Sequence, residues 1–487
     1  MSNRRNKEKH FPSNHAVVFN VIVALLYMDF QFAVAQELGD KYLDPTPPTI
    51  LIPEAPSFTM QDFEVDDFLQ VPTARDTYRV TGKGLGVVVI DSGINTQHIM
   101  FAGRLIEGKN FSEDGGANDM RDTGRNRLGQ IVPNGHGSNV AGIIAGAKLP
   151  SFPNMPTGIA HDAKIIPLKV FPGGSFSKIN ESLQWVLDNR KRVQDDHGVL
   201  ISVVNMSLGV PNLNLVDDSG SLSAEMTQQK ALIKELREKN IAVVVSSGNS
   251  YASFTPNKQG MSVPAVFSET VSVAAIYDSN FPPNVLPLPR TYADGGTVKQ
   301  AVAGRLTVFS QRLGESTGAT RRTDICGPGF FVTSAGPDDG IDATRSRTTQ
   351  DGTSQAGPTI SGLILLGQQR WRENMLAADS SLPADVLPSV DIIENSLRDG
   401  GVVFQDLEDS LAVTMDNVTS CGDTFVYANA IGFLKQIDNA SPSLIPTTPL
   451  TLQALQAELF GKSPEKQKDI LGEFRKGSGV FKQFNKK

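Results

Sequence analysis

Short, unbroken apolar runs alternate with longer stretches of helical periodicity through most of the chain. Apolar runs of this kind are typical of strands buried on both faces, and the periodic stretches between them are typical of covering helices. The alternation predicts an α/β fold in which a mostly parallel sheet carries helices on both faces. The predicted strands are 85–90, 164–171, 199–206, 241–245 and 271–276, and the predicted helices are 140–147, 178–190 and 224–239.

Changes in composition divide the chain into segments. Residues 75–438 hold the α/β pattern, and residues 36–74, rich in Pro, Asp and Glu, predict a leader or short prosegment lying across that domain. Residues 439–487 begin as a linker rich in Pro and Ser and end as a lysine-rich tail. The tail fits either a basic helix that docks on an acidic or membrane surface or a solvated extension.

Residues 1–35 have the features of a signal peptide. A basic region that includes Arg4 and Arg5 precedes an apolar run at 16–28, and small residues at 33–35 then offer a cleavage site. We expect cleavage after Ala35 and a secreted or periplasmic protein. The apolar run is too short to span a bilayer comfortably and no other stretch approaches that length, so we expect no transmembrane segment in the mature chain.

Composition and charge narrow the classes of function. At 487 residues with 39% hydrophobic content, the chain can bury a full core. A net charge of −7 gives no basic surface for nucleic acid, so we expect no nucleic-acid partner. We also expect a monomer. The cysteines are Cys326 and Cys421 alone, which excludes a disulfide-rich framework and leaves either one bridge or two free thiols.

Four polar residues stand where predicted strands end or helices begin. Asp91 directly follows the strand at 85–90, and Asn249 comes shortly after the strand at 241–245. His136 lies between two glycines at a helix entry, and Ser354 opens another helix. Each residue alone fits a cap, a turn or a structural histidine. Together, in this order along the chain, they predict one site at the carboxyl edge of the sheet.

The residue types fit nucleophilic catalysis by serine. A serine hydroxyl is a weak nucleophile, so a base must accept its proton during attack, and histidine has the suitable pKa. A carboxylate orients the imidazole, and an amide donor stabilises the oxyanion. We therefore predict Ser354 as the nucleophile, His136 as the base, Asp91 as the orienting acid and Asn249 as the oxyanion donor.

The motifs around these residues resemble those of the subtilisin-like serine peptidases, or subtilases. VVVIDSGIN at 87–95, NGHGSNVAG at 134–142 and DGTSQAGPTISG at 351–362 resemble the aspartate, histidine and serine motifs, in the chain order of subtilisin. The resemblance covers about 76–434 and implies a subtilisin-like three-layer sandwich and a secreted serine endopeptidase with polypeptide substrates. It departs from the family pattern at Ser138-Asn139, Gln355 and Thr359, where Thr-His, Met and His are usual.

The resemblance also implies where the substrate binds. The primary pocket should lie between two backbone segments, with a floor residue that narrows it, and small uncharged side chains there favour cleavage after apolar residues. A preference for Lys or Arg would instead require an acid from another loop, such as Asp217 or Asp218. The predicted substrate-binding residues are Ser207, Leu208, Gly209, Ser246, Ser247, Gly248 and Ser262.

Several alternatives stay open. A subtilase-fold binding protein without activity and a hydrolase of esters would carry the same motifs. Catalysis by these residues requires no cofactor. The acidic loop at 112–127 fits either a structural Ca²⁺ site, as subtilases often have, or a solvated loop, because arginines are interleaved with its acids. An inserted segment at 277–308 has no assigned role.

Overall fold

The computed structural model describes residues 65–441, except 153, 221, 255–257, 283–286 and 408–415. The predicted signal peptide with Ala35, most of the predicted leader and residues 442–487 of the tail lie outside the described residues. Fifteen strands lie within this range: β1 (Leu85–Asp91), β2 (Lys109–Asn110), β3 (Thr123–Arg125), β4 (Ile131–Pro133), β5 (Lys164–Lys169), β6 (Leu200–Met206), β7 (Ala242–Ser246), β8 (Val271–Ile276), β9 (Arg290–Thr291), β10 (Thr297–Val298), β11 (Ile325–Pro328), β12 (Val332–Ala335), β13 (Arg347–Gln350), β14 (Val402–Gln405) and β15 (Thr424–Tyr427).

The α-helices of the same part of the chain alternate with the long strands. They are α1 (Val65–Phe68), α2 (Val71–Tyr78), α3 (His136–Ala145), α4 (Phe176–His197), α5 (Ala224–Glu238), α6 (Thr353–Ala378), α7 (Val390–Gly400) and α8 (Ala430–Asn439). None of these helices is long and apolar enough to cross a membrane.

Nine of the strands form one sheet in the order β14-β15-β11-β8-β7-β6-β1-β5-β2. All neighbouring pairs are parallel except β14 and β15 at one edge. The predicted α/β fold with a mostly parallel sheet is therefore confirmed.

Side chains of the central strands alternate between two separate cores. In β1, Val87 and Val89 join a core with α3 and α6, whereas Val88 and Ile90 join a second core with α4 and α5. Because both faces of the strand are buried, a continuous apolar run is the pattern that stabilises it. The two cores on opposite faces make the three layers of the predicted sandwich.

The helix α4 is longer than its periodicity predicted. Its N-terminus is capped by Ser175, whose hydroxyl accepts a hydrogen bond from the backbone N–H of Lys178. The polar residues after 190 stay helical because Lys191 and Arg192 pair with acids one turn further on. Gly198 ends the helix in a left-handed conformation with φ 65°.

Only the end of the predicted leader lies among the described residues, and it is helical. Leu69, Val71 and Ala74 are fully buried in the core that contains α3 and α6. Arg75 forms an ion pair with Asp66 at 2.8 Å. This part of the chain therefore packs against the domain whose pattern was expected to begin at residue 75.

The two cysteines pack in one small cluster on β11 and beside β15, and both are free thiols. Cys326 is buried and Cys421 is half-buried. Burial raises the pKa of both thiols, that of Cys421 to about 12. Of the two alternatives that the cysteine count left open, the structure has the free thiols.

Candidate active site

The ends of three adjacent strands bring the predicted site residues to one edge of the sheet. Asp91 is the last residue of β1, Ser207 directly follows β6, and Asn249 follows β7. Because β7, β6 and β1 are parallel neighbours, their carboxyl ends lie side by side. His136 begins α3 and Ser354 lies in the first turn of α6. We call this region the carboxyl edge.

His136 and Asp91 form a short hydrogen bond. The Nδ1 of His136 lies 2.7 Å from Oδ1 of Asp91, and both side chains are buried. The helix can approach this closely because residue 137 is glycine: a Cβ there would lie 2.1 Å from the carbonyl oxygen of Gly93. With Nδ1 facing a carboxylate, this nitrogen carries the imidazole proton.

A second carboxylate, that of Asp122, lies behind the first. Its Oδ1 accepts a hydrogen bond from the hydroxyl of Ser92 at 2.7 Å, and its Oδ2 accepts from the N–H and hydroxyl of Ser138 at 2.7 and 2.6 Å. Ser92 also lies 3.1 Å from Oδ1 of Asp91. The sequence analysis placed Asp122 only in the acidic loop. Ser92 and Ser138, which closely follow the predicted Asp91 and His136, were the one sequence feature that suggested a polar partner behind them.

The two carboxylates share one hydroxyl hydrogen. The Oγ of Ser92 is within hydrogen-bond distance of both Asp91 and Asp122, but a hydroxyl has a single hydrogen to donate. Burial raises the pKa of Asp122, the hydrogen bonds from Ser138 and Ser92 oppose this shift, and the neighbouring Asp91 adds to it. The nearest donors to Asp122 are thus the neutral hydroxyls of Ser92 and Ser138 and the N–H of Ser138.

Hydroxyl groups anchor the first turn of α6 to the sheet. Pro358 has no N–H to bond the carbonyl of Ser354; the hydroxyl of Ser207 donates to that carbonyl instead, at 2.8 Å. The hydroxyl of Ser246 donates to the carbonyl of Thr353 at 2.9 Å. Ser354 is half-buried, and its Oγ donates to the carbonyl of Ser207 at 3.2 Å.

Asn249 is held by the residue before the predicted nucleophile. Its Oδ1 accepts hydrogen bonds from the N–H and the hydroxyl of Thr353, both at 2.8 Å. Since the carbonyl oxygen is used in this way, the amide Nδ2 is the group that can donate to a ligand. Nδ2 lies 3.2 Å from where a Cβ of Gly352 would stand, and the side chain belongs to an exposed residue.

Comparison with known proteins identifies the family of this chain. The subtilase family model matches residues 82–381, which is more than half of the chain and includes Asp91, His136, Asn249 and Ser354. The chain belongs to the subtilase family.

Its relatives are serine proteases. The subtilase is 24% identical over 287 residues to the major intracellular serine protease of Bacillus subtilis strain 168, which covers 59% of this chain and 69% of that protein. It is 27% identical over 306 residues to the serine protease AprX of the same bacterium. This match covers 60% of this chain and 58% of AprX. A solved structure of proteases from Pseudoalteromonas arctica PAMC 21717 is 23% identical, with a TM-score of 0.49, over 76% of this chain and 94% of that one.

The chain spans 69% and 58% of the length of these two curated relatives.

Two of the departures from the usual family motifs, Asn139 and Gln355, form a buried amide cluster with Gln350. The Nε2 of Gln355 donates to Oδ1 of Asn139 at 3.3 Å and to Oε1 of Gln350 at 3.0 Å. The Nδ2 of Asn139 donates to the carbonyl of Thr348 at 2.9 Å. All three amides are buried, so their hydrogen bonds replace those lost to water. The cluster links α3, which begins with His136, to α6, which carries Ser354.

The predicted floor of the substrate pocket closes the gap between two backbone segments. A Cβ on Gly209 would lie 2.8 Å from Oγ of Ser262, and one on Gly248 would lie 3.2 Å from Cβ of Ser262. Gly248 has φ 116°, and its added Cβ would also lie 2.1 Å from Oε1 of Gln311, so only glycine fits there. Ser262 is buried and therefore limits the depth of this space.

The remaining predicted pocket residues contribute backbone. Ser246 and Ser247 direct their hydroxyls to the carbonyls of Thr353 and Gln311, and Leu208 is buried in the core. The two acids considered as an alternative bind other groups. Asp218 pairs with Lys230 at 2.8 Å, and Asp217 accepts hydrogen bonds from Ser219.

Three acids of the acidic loop, residues 112–127, bind cations of the chain itself. Asp119 pairs with Arg121 at 2.6 Å, and Asp114 lies 3.2 Å from the buried Nζ of Lys169. Glu113 pairs with Arg125 at 3.0 Å. Among the described residues, no group of three or more His, Cys, Asp or Glu side chains is arranged to hold a metal ion.

Proposed function

We propose that this subtilase is a serine endopeptidase that hydrolyses polypeptides through an acyl-enzyme. Ser354 is the nucleophile, His136 the general base, Asp91 the orienting carboxylate and Asn249 the oxyanion donor. The observation that supports this most is the 2.7 Å contact between His136, at the start of α3, and Asp91, at the end of β1.

Each contact has a use in the proposed reaction. Asp91 keeps the imidazole proton on Nδ1, which leaves Nε2 of His136 free to accept a proton. Ser354 Oγ attacks the scissile carbonyl carbon while its own proton passes to this Nε2. The Nδ2 of Asn249 donates to the oxyanion that forms. The C–N bond then breaks, and His136 returns the proton to the leaving amine. Water then attacks the acyl ester while His136 accepts its proton. The ester C–O bond breaks, the carboxylic acid product leaves, and His136 returns the proton to Ser354.

Labelling with a fluorophosphonate probe tests the assignment. The probe forms a covalent bond only with an activated serine, so we expect one label on Ser354 of the purified chain, located by mass spectrometry. Ser354→Ala should fold and should neither label nor cut peptides. Peptide hydrolysis by folded Ser354→Ala would overturn the assignment, and turnover of simple esters without turnover of peptides would favour the ester hydrolase.

We propose that cleavage follows medium or large apolar residues such as Leu, Met or Phe. The segments around Gly209 and Gly248 present backbone, and a Lys or Arg side chain between them would lose hydration without gaining a carboxylate partner. An apolar side chain gains about 25 cal/mol per Å² buried. Ser262, which lies between the two glycines, disfavours the largest aromatic side chains.

Cleavage profiling in a proteome-derived peptide library tests this specificity. Most cuts should follow Leu, Met or Phe, and Ser262→Gly should increase the share that follows Phe and Trp by deepening the pocket. A dominant preference for Lys or Arg would contradict the proposal.

We also propose export. The basic region, the apolar run at 16–28 and the small residues at 33–35 support cleavage after Ala35, which gives a secreted or periplasmic monomer. The N-terminal peptide of the mature protein, read by mass spectrometry, tests this, and a mature chain that still begins at Met1 would contradict it.

We propose that the acidic loop is held by ion pairs and not by Ca²⁺, and that catalysis uses only side chains of the chain. Arg121, Arg125 and Lys169 already pair with Asp119, Glu113 and Asp114. A calcium chelator should leave the thermal unfolding midpoint unchanged; a marked decrease would point to a calcium site.

A further inference from the structure

The inserted segment at 277–308 reaches the turn that precedes Ser354. Its strands β9 and β10 form an antiparallel hairpin in which Arg290 pairs with Val298 and Thr291 with Thr297. This hairpin contacts Asp351, three residues before Ser354.

Two side chains of the hairpin bind one buried carboxylate. The Nε of Arg290 lies 2.7 Å from Oδ2 of Asp351, and the hydroxyl of Tyr292 donates to the same oxygen at 3.0 Å. The other oxygen, Oδ1, accepts from the N–H of Phe331 at 2.6 Å. The side chain of Asp351 is only 3% exposed. Asp351 and Gly352 form the turn that leads directly into Thr353 and Ser354.

The same hairpin also holds the loop of Asn249. The Oδ2 of Asp294 accepts a hydrogen bond from the N–H of Ala252 at 3.0 Å. The ring of Tyr292 packs edge-on against Phe309, at 4.8 Å between centroids. The hairpin thus contacts both the turn at 351–352 and the loop that follows Asn249, and these two segments are joined to each other by the hydrogen bonds of Thr353 with Asn249. We call these linked contacts the circuit.

The charge on Arg290 is the part of this circuit that is hardest to replace. Burial raises the pKa of Asp351, while Arg290 and the hydrogen bonds from Phe331 and Tyr292 oppose that shift. A buried carboxylate without its cation is strongly unfavourable, so the turn would move until the carboxylate reaches water. This movement would displace Thr353, which precedes Ser354 and donates two hydrogen bonds to Asn249.

We infer that Arg290 is a positioning residue of the active site: through Asp351 it holds the turn before Ser354 in register with Asn249. The inference rests on the proposed function, and it assigns a role to the insertion. Arg290 acts through Asp351 and is not itself a catalytic residue.

Labelling rates in the full chain test this. Arg290→Met should slow fluorophosphonate labelling of Ser354 and lower kcat for a peptide by up to about a hundredfold, the loss that small misplacements cause. KM should change little, because the pocket segments at 207–209 and 246–248 contact neither Arg290 nor Asp351 in the hydrogen bonds and ion pairs described. The matched control is Lys299→Met, which removes an exposed positive charge from the same insertion and should leave both values unchanged.

A second variant separates positioning from general damage. In Arg290→Met/Asp351→Asn the buried charge is gone together with its cation, so the double variant should recover most of the lost labelling rate and kcat. If Arg290→Met does not fold, a folded and active double variant supports the inference and a folded but inactive one overturns it.

Two other results would overturn it: an unchanged rate in folded Arg290→Met, or a double variant no better than the single one. Absence of labelling in the parent chain would instead refute the proposed function.

Discussion

Asp119 and Asp122 are close neighbours in sequence, yet their carboxylates lie in opposite environments. Asp119, in the acidic loop, binds the exposed guanidinium of Arg121, which lowers the pKa of that carboxyl despite partial burial. Asp122, at the carboxyl edge, contacts hydroxyls and an N–H, and burial raises the pKa of its carboxyl. One residue type thus has opposite pKa shifts because one site offers a cation and the other offers burial among neutral donors.

This difference separates structural from functional acids. Exposed pairs such as Asp119 with Arg121 contribute little to stability, because water and salt screen them. Buried carboxylates held by neutral donors are costly, and they occur where a protein keeps a charge or a proton ready for use. The acids behind His136 have this second character. Substitutions at the carboxyl edge should therefore have large effects, and those in the acidic loop small ones.

The largest effect on kcat is expected for substitution of His136, the base that Asp91 orients. His136→Ala should lower kcat by about 10⁶-fold, the size of the loss known for the base of subtilisin. The unfolding midpoint should stay close to that of the parent. Kinetics with a chromogenic peptide measure the loss, and a folded variant that keeps more than traces of activity would remove His136 from the mechanism.

Asn249→Leu should have the next largest effect. Removal of one oxyanion donor lowers kcat by about 10²- to 10³-fold, as for the corresponding donor in subtilisin, with little change in KM. Steady-state kinetics with circular dichroism as a folding control measure this. Unchanged kcat would mean that another donor serves the oxyanion.

Asp122→Asn tests the electrostatic half of the comparison. Because the pKa of Asp122 is raised in the folded protein, its contribution to stability is present below the ordinary value of 3.8 and is lost as the pH rises through the folded-state pKa. Asp122→Asn should remove this part of the decrease in stability with rising pH. Thermal unfolding from acid to neutral pH, in the inactive Ser354→Ala background, measures the slope.

Asp119→Asn is the matched control for that slope. The pKa of Asp119 is lowered, so its stabilising contribution is present above 3.8 and is lost as the pH falls through the folded-state pKa. The control should therefore reduce stability at neutral pH and leave the slope above 3.8 unchanged. If stability changed with pH by the same slope in Asp122→Asn and Asp119→Asn, the two carboxylates would not have opposite pKa shifts.

The smallest effect is expected at Arg121, whose side chain is 67% exposed. Arg121→Ala should lower the free energy of unfolding by less than about 1 kcal/mol. The difference should shrink further at high salt, because the pair is screened. Urea unfolding at two salt concentrations measures it, and a loss of several kcal/mol would show that the acidic loop carries more of the stability than its exposure suggests.

Local pattern was enough to predict five neighbouring strands of the sheet, β8, β7, β6, β1 and β5. The strand at 271–276 has its predicted bounds, because a mostly apolar segment that is buried along its whole length is typical of a central strand in such a sheet. The predicted helix at 178–190 was too short, because its last turns depend on polar side chains that carry no apolar periodicity. Cys326 and Cys421 showed the same limit: their number restricted the possibilities, and only the packing of β11 and β15 decided between them.

By itself the sequence determined the fold class, the subtilase motifs and the four residues proposed to carry the chemistry, since each lies within a short segment whose pattern is local. The tertiary structure alone decided the partners of the buried acids. Ser92 and Ser138 meet Asp122, and Arg290 meets Asp351, across long separations in sequence. Burial and the nearest donor set the pKa of a carboxyl, and both are properties of packing that no local pattern of residues contains.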